Sequence, residues 1–582
     1  MIEGFHPAIR AWFQETFEAP SSPQAMGWPP IREGRHTLIQ APTGSGKTLA
    51  AFLECLNQLL LTGEAEASDG VRILYVSPLR ALNNDIQRNL AVPLAGIERA
   101  AARLGTPLPE IRTAVRTGDT PARERQSMLR RPPHVLITTP ESLYLLLTGA
   151  RSAAILRRVR YVIVDEIHAL AAEKRGVHLA VSLERLVEEA GEFQRIGLSA
   201  TQRPIEEIAR FLGGSAGEGW RPVTIVDAAQ ERAMDLQLCC PAPFYPAAGS
   251  VWPAIHRRLL EWIGAHRTTI VFVNSRGLAE RLTSRLNELA WTEGIVPAGV
   301  PWVEAHHGSL SRDQREAVEE KLKAGALAGI VATASLELGI DVGAVDLVVQ
   351  IGSPRSAARG LQRVGRSGHV LHATSRGRIV PLHAEDLLEA AVVAAEMQRG
   401  EIEATKIPQG CLDVLAQHVV AMVARRPWRI PDLLAVLRRA YPYRELTRDE
   451  LIRVVRMLAG QYGGALHSPG PVPVRARLFF DEANEEMRPH PSARFVATAS
   501  GGTIPDRGHY TVQVTGNGGR PFALGELDEE FVFESRVGDA FRLGNGVWRI
   551  EAIEPDRVLA SPAPGMVARL PFWKGEGIGR PY

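Results

Sequence analysis

Short apolar runs recur along the first two thirds of the chain, with longer segments of helical spacing between them. The runs Thr37–Ile39, Val71–Val76, Val135–Thr138, Tyr161–Val164 and Ile196–Ser199 are nearly continuous in apolar residues rather than alternating. That is the mark of strands buried on both faces. Leu49–Leu61 is the clearest of the intervening helical segments. Buried runs alternating with helices predict a parallel sheet covered on both faces, an α/β lobe over residues 1–225. The pattern begins again with runs at Thr269–Val273, Val303–Ala305, Gly329–Thr333 and Leu347–Ile351, which predicts a second lobe of the same kind over residues 226–405. In such sheets ligands collect at the carboxyl ends of the strands, so the polar residues after each run are the ones to inspect.

The last third changes character. Helical segments at Leu412–Ala424, Pro431–Ala440 and Arg448–Ala459 are followed by Gly463-Gly464 and short apolar runs, which suggests a winged-helix module over residues 406–490. Thr447 and Glu450 have the spacing of a capping box for the third helix. The cluster Arg425-Arg426 with Trp428-Arg429 suits either phosphate contact with base stacking or a packing rim. From about Arg494 the period shifts towards two, with strands expected at Tyr510–Val514, Phe531–Glu534 and Val547–Ile553. Antiparallel strands with glycine-rich turns predict a partial β-barrel over residues 491–582. The acidic stretch GELDEEF argues against phosphate contact there.

The first chemistry lies at Ala41–Thr48, APTGSGKT, between the run Thr37–Ile39 and the helical segment that follows. A strand, a glycine-rich turn and a helix start form a phosphate cradle, because backbone N–H groups and the helix dipole converge on one point. Thr43, Gly44, Ser45 and Gly46 supply the backbone. Lys47 reaches terminal phosphates and the Thr48 hydroxyl suits Mg²⁺, so ATP and Mg²⁺ are the expected ligands. Ala41 stands where the usual pattern has glycine. Upstream, Gln24 offers an amide to an adenine edge. The run Tyr161–Val164 ends in Asp165-Glu166-Ile167-His168: Asp165 suits Mg²⁺ and Glu166 suits polarising the water that attacks the γ-phosphate. His168, with Ser199 and Thr201 of Ser199-Ala200-Thr201, is a candidate for coupling this site to a neighbouring element. The loops holding Arg80, Thr120 and Thr139 carry groups that suit a sugar-phosphate backbone.

The second lobe has no phosphate loop. Its strands lead instead to Asn274-Ser275-Arg276, His306-His307-Gly308-Ser309, the stretch from Thr333 through Gly339 to Asp341, and QRVGRSGH at Gln362–His369. Arg363 and Arg366 are three apart and share a helical face. They are candidate arginine fingers for the γ-phosphate, with Gln362 positioning them or the water. His306-His307 has no acidic or cysteine partner at ligand spacing, so backbone contact is favoured over metal.

Composition adds limits. A net charge of +2 over 582 residues gives no bulk signal for nucleic acid, so a basic surface has to be local. Cys55, Cys239, Cys240 and Cys411 form no C-x-x-C pair, and neither a disulfide framework nor a structural zinc site is expected. The N-terminus lacks a signal pattern and no apolar run approaches membrane-spanning length, so the expected location is the cytoplasm.

APTGSGKT, DEIH, SAT, TASLELGID and QRVGRSGH occur in the order of superfamily-two helicases. More narrowly, APTGSGKTLAAFL, SPLRALNNDI, VDEIHAL, VFVNSRGLAERL, HHGSLSRDQR and GELDEEFVFESRVGDAFRLGNGVWRI make the chain resemble, over nearly its whole length, the large helicase-related (Lhr) family of DNA helicases. The resemblance implies two RecA-like lobes with ATP in the cleft. It assigns the ATP site to Gln24, Lys47, Thr48, Asp165, Glu166, Gln362, Arg363 and Arg366. The strand contacts fall to Arg80, Thr120, Thr139, Ser309 and Thr333, with Ser275 and Arg276 beside them. It implies 3′-to-5′ translocation on single-stranded DNA, unwinding of DNA duplexes and RNA–DNA hybrids, and a part in DNA repair. Family chains continue well past the accessory β domain, so this sequence is expected to be C-terminally shortened. An RNA helicase or ribonucleoprotein remodeller is the alternative motor. A nucleic-acid-binding scaffold without motor activity is the alternative outside the enzymes.

Overall fold

The computed structural model describes residues 2–42, 44–63, 70–78, 80–217, 219–228, 233–241, 250–337, 343, 345–368, 374–461, 475–499, 501–503, 509–514, 522–544, 546–554 and 557–571, without the side chains of residues 80–86, 88, 89, 312 and 530. The chain forms two compact units that alternate along the sequence. One comprises residues 1–229 and 404–504, the other residues 230–403 and 505–582.

The first unit is built on a seven-stranded sheet in the order Thr113–Arg116, Val135–Thr138, Ile73–Val76, Tyr161–Val164, Gln194–Ser199, His36–Gln40, Val223–Asp227. Every neighbouring pair is parallel. The middle strands are buried along their length, which explains their unbroken apolar composition. The edge strands Thr113–Arg116 and Val223–Asp227 escape a search for apolar runs because their residues are mostly half-buried.

The winged-helix module belongs to this same unit. Its helices Leu412–Val423, Ile430–Arg439 and Arg448–Leu458 accompany a three-stranded sheet in the order Trp428–Arg429, Glu486–Pro489, Leu478–Asp481, whose first strand lies between the first two helices in sequence. The capping box forms as read: Thr447 N–H donates to Glu450 Oε2 at 2.8 Å, and Glu450 N–H to Thr447 Oγ1 at 3.2 Å. Tyr144, Leu147, Val177 and Val181 of the lobe share one apolar core with Leu415, Val419, Leu433 and Leu437 of the module. The basic cluster is part of that packing and not a base-stacking platform. Trp428 is buried and donates Nε1–H to Met422 O, Arg426 lies 3.9 Å over its ring, and Arg425 pairs with Glu189.

The second unit carries a six-stranded parallel sheet in the order Met234–Leu238, Ser375–Val380, Leu347–Ile351, Thr269–Phe272, Gly329–Ala332, Val303–His306. A C-terminal sheet of five strands runs Phe522–Asp528, His509–Val514, Arg557–Pro562, Gly546–Ile553, Ala540–Leu543. It is antiparallel except where His509–Val514 and Arg557–Pro562 pair in parallel. The strand expected at Phe531–Glu534 is instead a short helix, Glu529–Phe533. Acidic Asp528, Glu529 and Glu530 suit a helix N-terminus. Adjacent Phe531 and Val532 are both buried, as one face of a single turn allows and an alternating strand does not.

Candidate nucleotide and nucleic-acid sites

The phosphate loop follows the strand His36–Gln40 and precedes the helix Lys47–Leu61. Gly44 at φ 76° and Gly46 at φ 88° turn the chain into the helix, and Gly46 is its N-cap. Ser45 donates both its N–H, at 3.3 Å, and its hydroxyl, at 2.7 Å, to Pro42 O. Lys47 is buried, with Nζ 3.4 Å from Ala41 O. Thr43 lies outside the described residues. Gln24 sits in the first turn of the helix Ser22–Arg32. Its amide oxygen accepts from Ser21 N–H at 2.9 Å, and its amide nitrogen is 3.1 Å from where a Cβ on Gly46 would stand. The sequence thus brings Gln24 onto the loop itself.

Asp165 and Glu166 follow the strand Tyr161–Val164, which Gln194–Ser199 separates in the sheet from His36–Gln40, the strand that leads into the loop. Asp165 Oδ1 accepts from Glu166 N–H at 2.8 Å, and Oδ2 accepts from the Tyr75 hydroxyl. Burial and the neighbouring Glu166 raise the Asp165 carboxyl to about 6, against the pull of Lys47. Glu166 is held at φ 45°, a left-handed conformation that is costly for a side chain of this kind and that aims it away from the strand direction. The oxygen-only set of Thr48 and Asp165 fits a hard divalent cation that keeps waters and shares phosphate oxygens. Two adjacent buried carboxylates give it the charge to neutralise.

His168 Nδ1 accepts from Ala200 N–H at 3.2 Å and lies 3.4 Å from the Ser199 hydroxyl. Burial lowers its pKa, so the ring is neutral with its proton on Nε2. Its 3.5 Å approach to Glu166 Oε2 is therefore a contact between acceptors rather than an ion pair. His168, two residues after Glu166, thus fixes the segment that follows the acidic pair to Ser199-Ala200. Thr201 is half-buried, with its carbonyl taken by the Gln202 amide at 2.7 Å.

Among the strand-contact candidates of this unit, Thr139 caps the helix Pro140–Thr148, and the Thr120 hydroxyl accepts from Thr117 N–H at 2.9 Å. Arg80 begins a helix, and its side chain lies outside the described residues. Two arginines the sequence reading passed over hold these loops. Arg175 binds Glu141 and Pro78 O, both at 2.7 Å, and Arg125 binds Thr120 O at 2.7 Å and Gly118 O at 2.6 Å.

In the second unit Gln362 and Arg363 lie on the helix Ala357–Val364, and Arg366 just beyond it. Both arginines are 1% exposed. Arg363 binds Glu337 through Nε at 2.7 Å and through Nη2, and Gln350 Oε1 at 2.5 Å and Asn274 Oδ1 at 3.2 Å through Nη1. Arg366 Nη2 donates to Glu337 O at 2.7 Å. Burial lowers the Arg363 pKa against the pull of Glu337. Glu403 caps the same helix, accepting from Ala357 N–H at 2.6 Å and Ala358 N–H at 3.1 Å. Glu337 stood in the TASLELGID stretch and was there to be found. Tyr75, inside an apolar strand, gave no signal. Gly339 and Asp341 lie outside the described residues.

Ser275 caps the helix Arg276–Thr292, and Arg276 Nη1 donates to Ser309 Oγ at 2.5 Å. Ser309 is fully buried while Gly308 beside it is exposed. Thr333 is half-buried, its N–H bonded to His306 O at 3.2 Å. His306 and His307 face Glu319 and Glu280, at 3.0 and 2.8 Å. No cluster of three or more potential metal ligands occurs among the described residues, and no helix there is long and apolar enough to cross a membrane.

Two parallel-sheet lobes, one with a phosphate loop and an acidic pair and one with paired arginines, define the class of nucleic-acid helicases. Three family models match in chain order: DEAD/DEAH box helicase over residues 21–208, helicase conserved C-terminal domain over 254–370, and large helicase-related protein, winged helix domain, over 395–570. The solved structure of Mycobacterium smegmatis helicase Lhr bound to ssDNA and AMP-PNP is 44% identical, with a TM-score of 0.79 over 98% of this chain and 67% of that one. The chain belongs to the large helicase-related family. It is 48% identical to the Lhr helicase/probable uracil glycosylase of Mycolicibacterium smegmatis over 99% of its own length and 39% of the relative's. It is 43% identical to the ATP-dependent helicase Lhr-Core of Methanothermobacter thermautotrophicus over 98% of itself and 65% of that protein. The chain thus spans about two fifths of the first relative and about two thirds of the second. The helicase MrfA, at 19% identity and a TM-score of 0.73, shares the fold.

Proposed function

We propose that this chain is the motor of an ATP-dependent DNA helicase that moves 3′-to-5′ on single-stranded DNA, unwinds DNA duplexes and RNA–DNA hybrids, and serves DNA repair in the cytoplasm. The observation that carries the reading is the linked set in the first unit. Buried Lys47 sits with Nζ against Ala41 O of the phosphate loop, Asp165 accepts from Glu166 N–H, and His168, two residues on, accepts from Ala200 N–H. The family relative whose structure is bound to ssDNA and AMP-PNP supports the same ligands here.

Each residue then has one role. Gln24 binds the adenine edge, and Thr43 to Lys47 bind the phosphates. Thr48 and Asp165 hold Mg²⁺, which when bound offsets charge on the phosphate oxygens. Glu166 orients and deprotonates the attacking water. Arg363 and Arg366 stabilise charge on the transferred phosphoryl group, with Gln362, Gly339 and Asp341 assisting. Arg80, Thr120, Thr139, Ser275, Arg276, Thr333 and the loop of Gly308 and Ser309 hold the strand, the last through the exposed Gly308 backbone.

The test is ATP hydrolysis without polynucleotide, with single-stranded DNA and with RNA, followed by strand displacement with a tail on either end. DNA-stimulated hydrolysis that Lys47→Ala and Glu166→Gln abolish is expected. Absence of hydrolysis in the parent refutes the motor, and stimulation by RNA alone transfers the assignment to an RNA helicase.

A further inference from the structure

Leu310 lies in the second lobe's sequence but in the C-terminal sheet's core. It is 5% exposed and packs with Val512, Leu524, Leu527, Phe541 and Leu543. Its neighbours are pinned by backbone on either side. Ser309 O accepts from Glu526 N–H at 2.7 Å, Ser311 N–H donates to Leu524 O at 2.9 Å, and Leu310 bridges Gly525 in antiparallel register. The segment 309–311 is thus a short added edge on the strand Phe522–Asp528. The approach at Gly525 is so close that a Cβ there would stand 2.0 Å from Ser309 O, and the pairing of that strand with His509–Val514 shifts register at the same point. A glycine is required by this neighbour, not by its own φ.

The other side of the loop is held as well. Glu280 Oε1 accepts from His307 Nε2–H at 2.8 Å and from Gly544 N–H at 2.9 Å, so one buried carboxylate oxygen joins the loop to the turn after the strand Ala540–Leu543. Arg542 Nη1 donates to Ser284 Oγ at 2.6 Å on the same helix as Glu280. Between these anchors Gly308 alone remains exposed.

We propose that the C-terminal sheet is a positioning element for the His307–Ser309 loop, and that Gly525, Glu280 and Arg542 set the affinity for single-stranded DNA through it without touching DNA or ATP. The proposal rests on the reading that this loop contacts the strand. A loop whose backbone is fixed before binding loses less freedom on binding, which is where the affinity arises.

The experiment uses the full chain with a fluorescent oligothymidylate, reading its Kd by anisotropy and the DNA concentration that half-activates ATP hydrolysis. Gly525→Ala, Glu280→Ala and Arg542→Ala are expected to raise both by about tenfold, with the DNA-free rate, the KM for ATP and the DNA-saturated rate within about twofold of the parent. Glu280→Gln, which keeps an accepting oxygen, is expected to recover most of the loss. Damage to the fold moves all of these quantities together, and that outcome in all three variants overturns the proposal. Gly308→Asp, placed where a Cβ meets nothing within 4 Å, tests the underlying reading by adding a charge that repels phosphate. If it leaves the Kd unchanged, the strand-contact reading fails and takes the proposal with it. If it weakens binding while the three positioning variants do not, the proposal alone is wrong.

Discussion

Glu337 holds the arginine on which transition-state stabilisation is proposed to depend, so its removal should show in both stability and rate. Its carboxylate bonds Arg363 through two nitrogens and lies 3.5 Å from Arg359 Nε. Arg363 is 1% exposed and lies 5.1 Å over the Phe272 ring, so water offers no substitute partner. Removing one member of a buried pair and stranding the other charge costs about 3–5 kcal/mol. Gln350 and Asn274 still accept from Nη1, which places Glu337→Ala at the lower end, about 3 kcal/mol. Glu337→Gln keeps one acceptor and loses the charge, and should cost about half of that. Because the molecule has two units, a single melting curve would blur the effect. Hydrogen exchange read peptide by peptide does not. In Glu337→Ala the strands Thr269–Phe272 and Leu347–Ile351 should exchange roughly a hundredfold faster, while His36–Gln40 and Tyr161–Val164 of the other unit stay at the parent rate. The ATPase kcat should fall with it, since the guanidinium loses its fixed orientation. Exchange in those second-unit strands within about threefold of the parent, or equal acceleration in both units, would refute the argument that Glu337 compensates a buried Arg363 charge.

Gly46→Ala forces a Cβ into φ 88° and to 3.1 Å from the Gln24 amide, and about 1–2 kcal/mol of strain at the loop should raise the KM for ATP about tenfold in steady-state hydrolysis. Gly176→Ala puts a Cβ 2.2 Å from the Leu170 carbonyl oxygen, backbone that cannot step aside, and should lower the melting temperature of the first unit by several degrees, about 5 °C or more. Burial holds His178 down to about 4 and His418 well below its usual value, among Arg185, Arg175, Glu141 and Tyr144. With the unfolded value near 6.5, the unfolded chain binds more protons between about pH 6.5 and 4. Stability is thus fully present above that window and falls as pH drops through it, on the order of 3 kcal/mol for His178 alone. Thermal unfolding from pH 7 downward should show that loss in the first unit, and His178→Gln should make the curve flatter. An unchanged slope in that variant would mean that the ring is solvated in solution.

What the residue pattern made legible is what burial writes into composition. The central strands of both parallel sheets, fully covered, read as unbroken apolar runs, and the motifs that follow them could be located without a structure. The edge strands Thr113–Arg116 and Met234–Leu238, and Ser375–Val380 next to the latter, carry charged or half-buried positions and left no comparable run. The turn at Glu529–Phe533 misled because Phe531, Val532 and Phe533 are residue types enriched in strands, while the acidic run before them favours a helix start. In the sites, the residues proposed to hold ligands sit in local motifs and were named. The residues that hold those residues are scattered: Tyr75 for Asp165, Glu337 and Gln350 for Arg363, Glu280 for His307. No spacing along the chain connects them, since each pairing is made by tertiary packing and not by a helix turn.

The alternation of the two units explains why the accessory modules are not appendages. The chain leaves the first lobe at residue 229, builds the second lobe to residue 403, returns to the first unit for the winged helix, and returns to the second for the C-terminal sheet. The return at Ala404 is fixed by backbone, with Ala404 bridging Arg203 and Thr405 N–H donating to Arg203 O at 2.8 Å, and by the Thr405 hydroxyl on Gln202 Oε1 at 2.5 Å. These contacts lie directly after Ser199-Ala200-Thr201. Glu403, one peptide bond earlier, caps the helix that carries Gln362 and Arg363. The first lobe therefore completes its core with a module encoded after both lobes, and the second lends a residue to the core of another. Leu415, Val419 and Leu433 enter the core of the first, and Leu310 of the second enters the core of the C-terminal sheet. A two-lobe fragment ending near residue 403 would strip Tyr144, Leu147 and Val181 of their cover and leave Leu310 exposed, apolar surface of the kind that aggregates. The smallest part of this chain that folds is thus set by packing, and it is longer than the stretch that carries the helicase motifs.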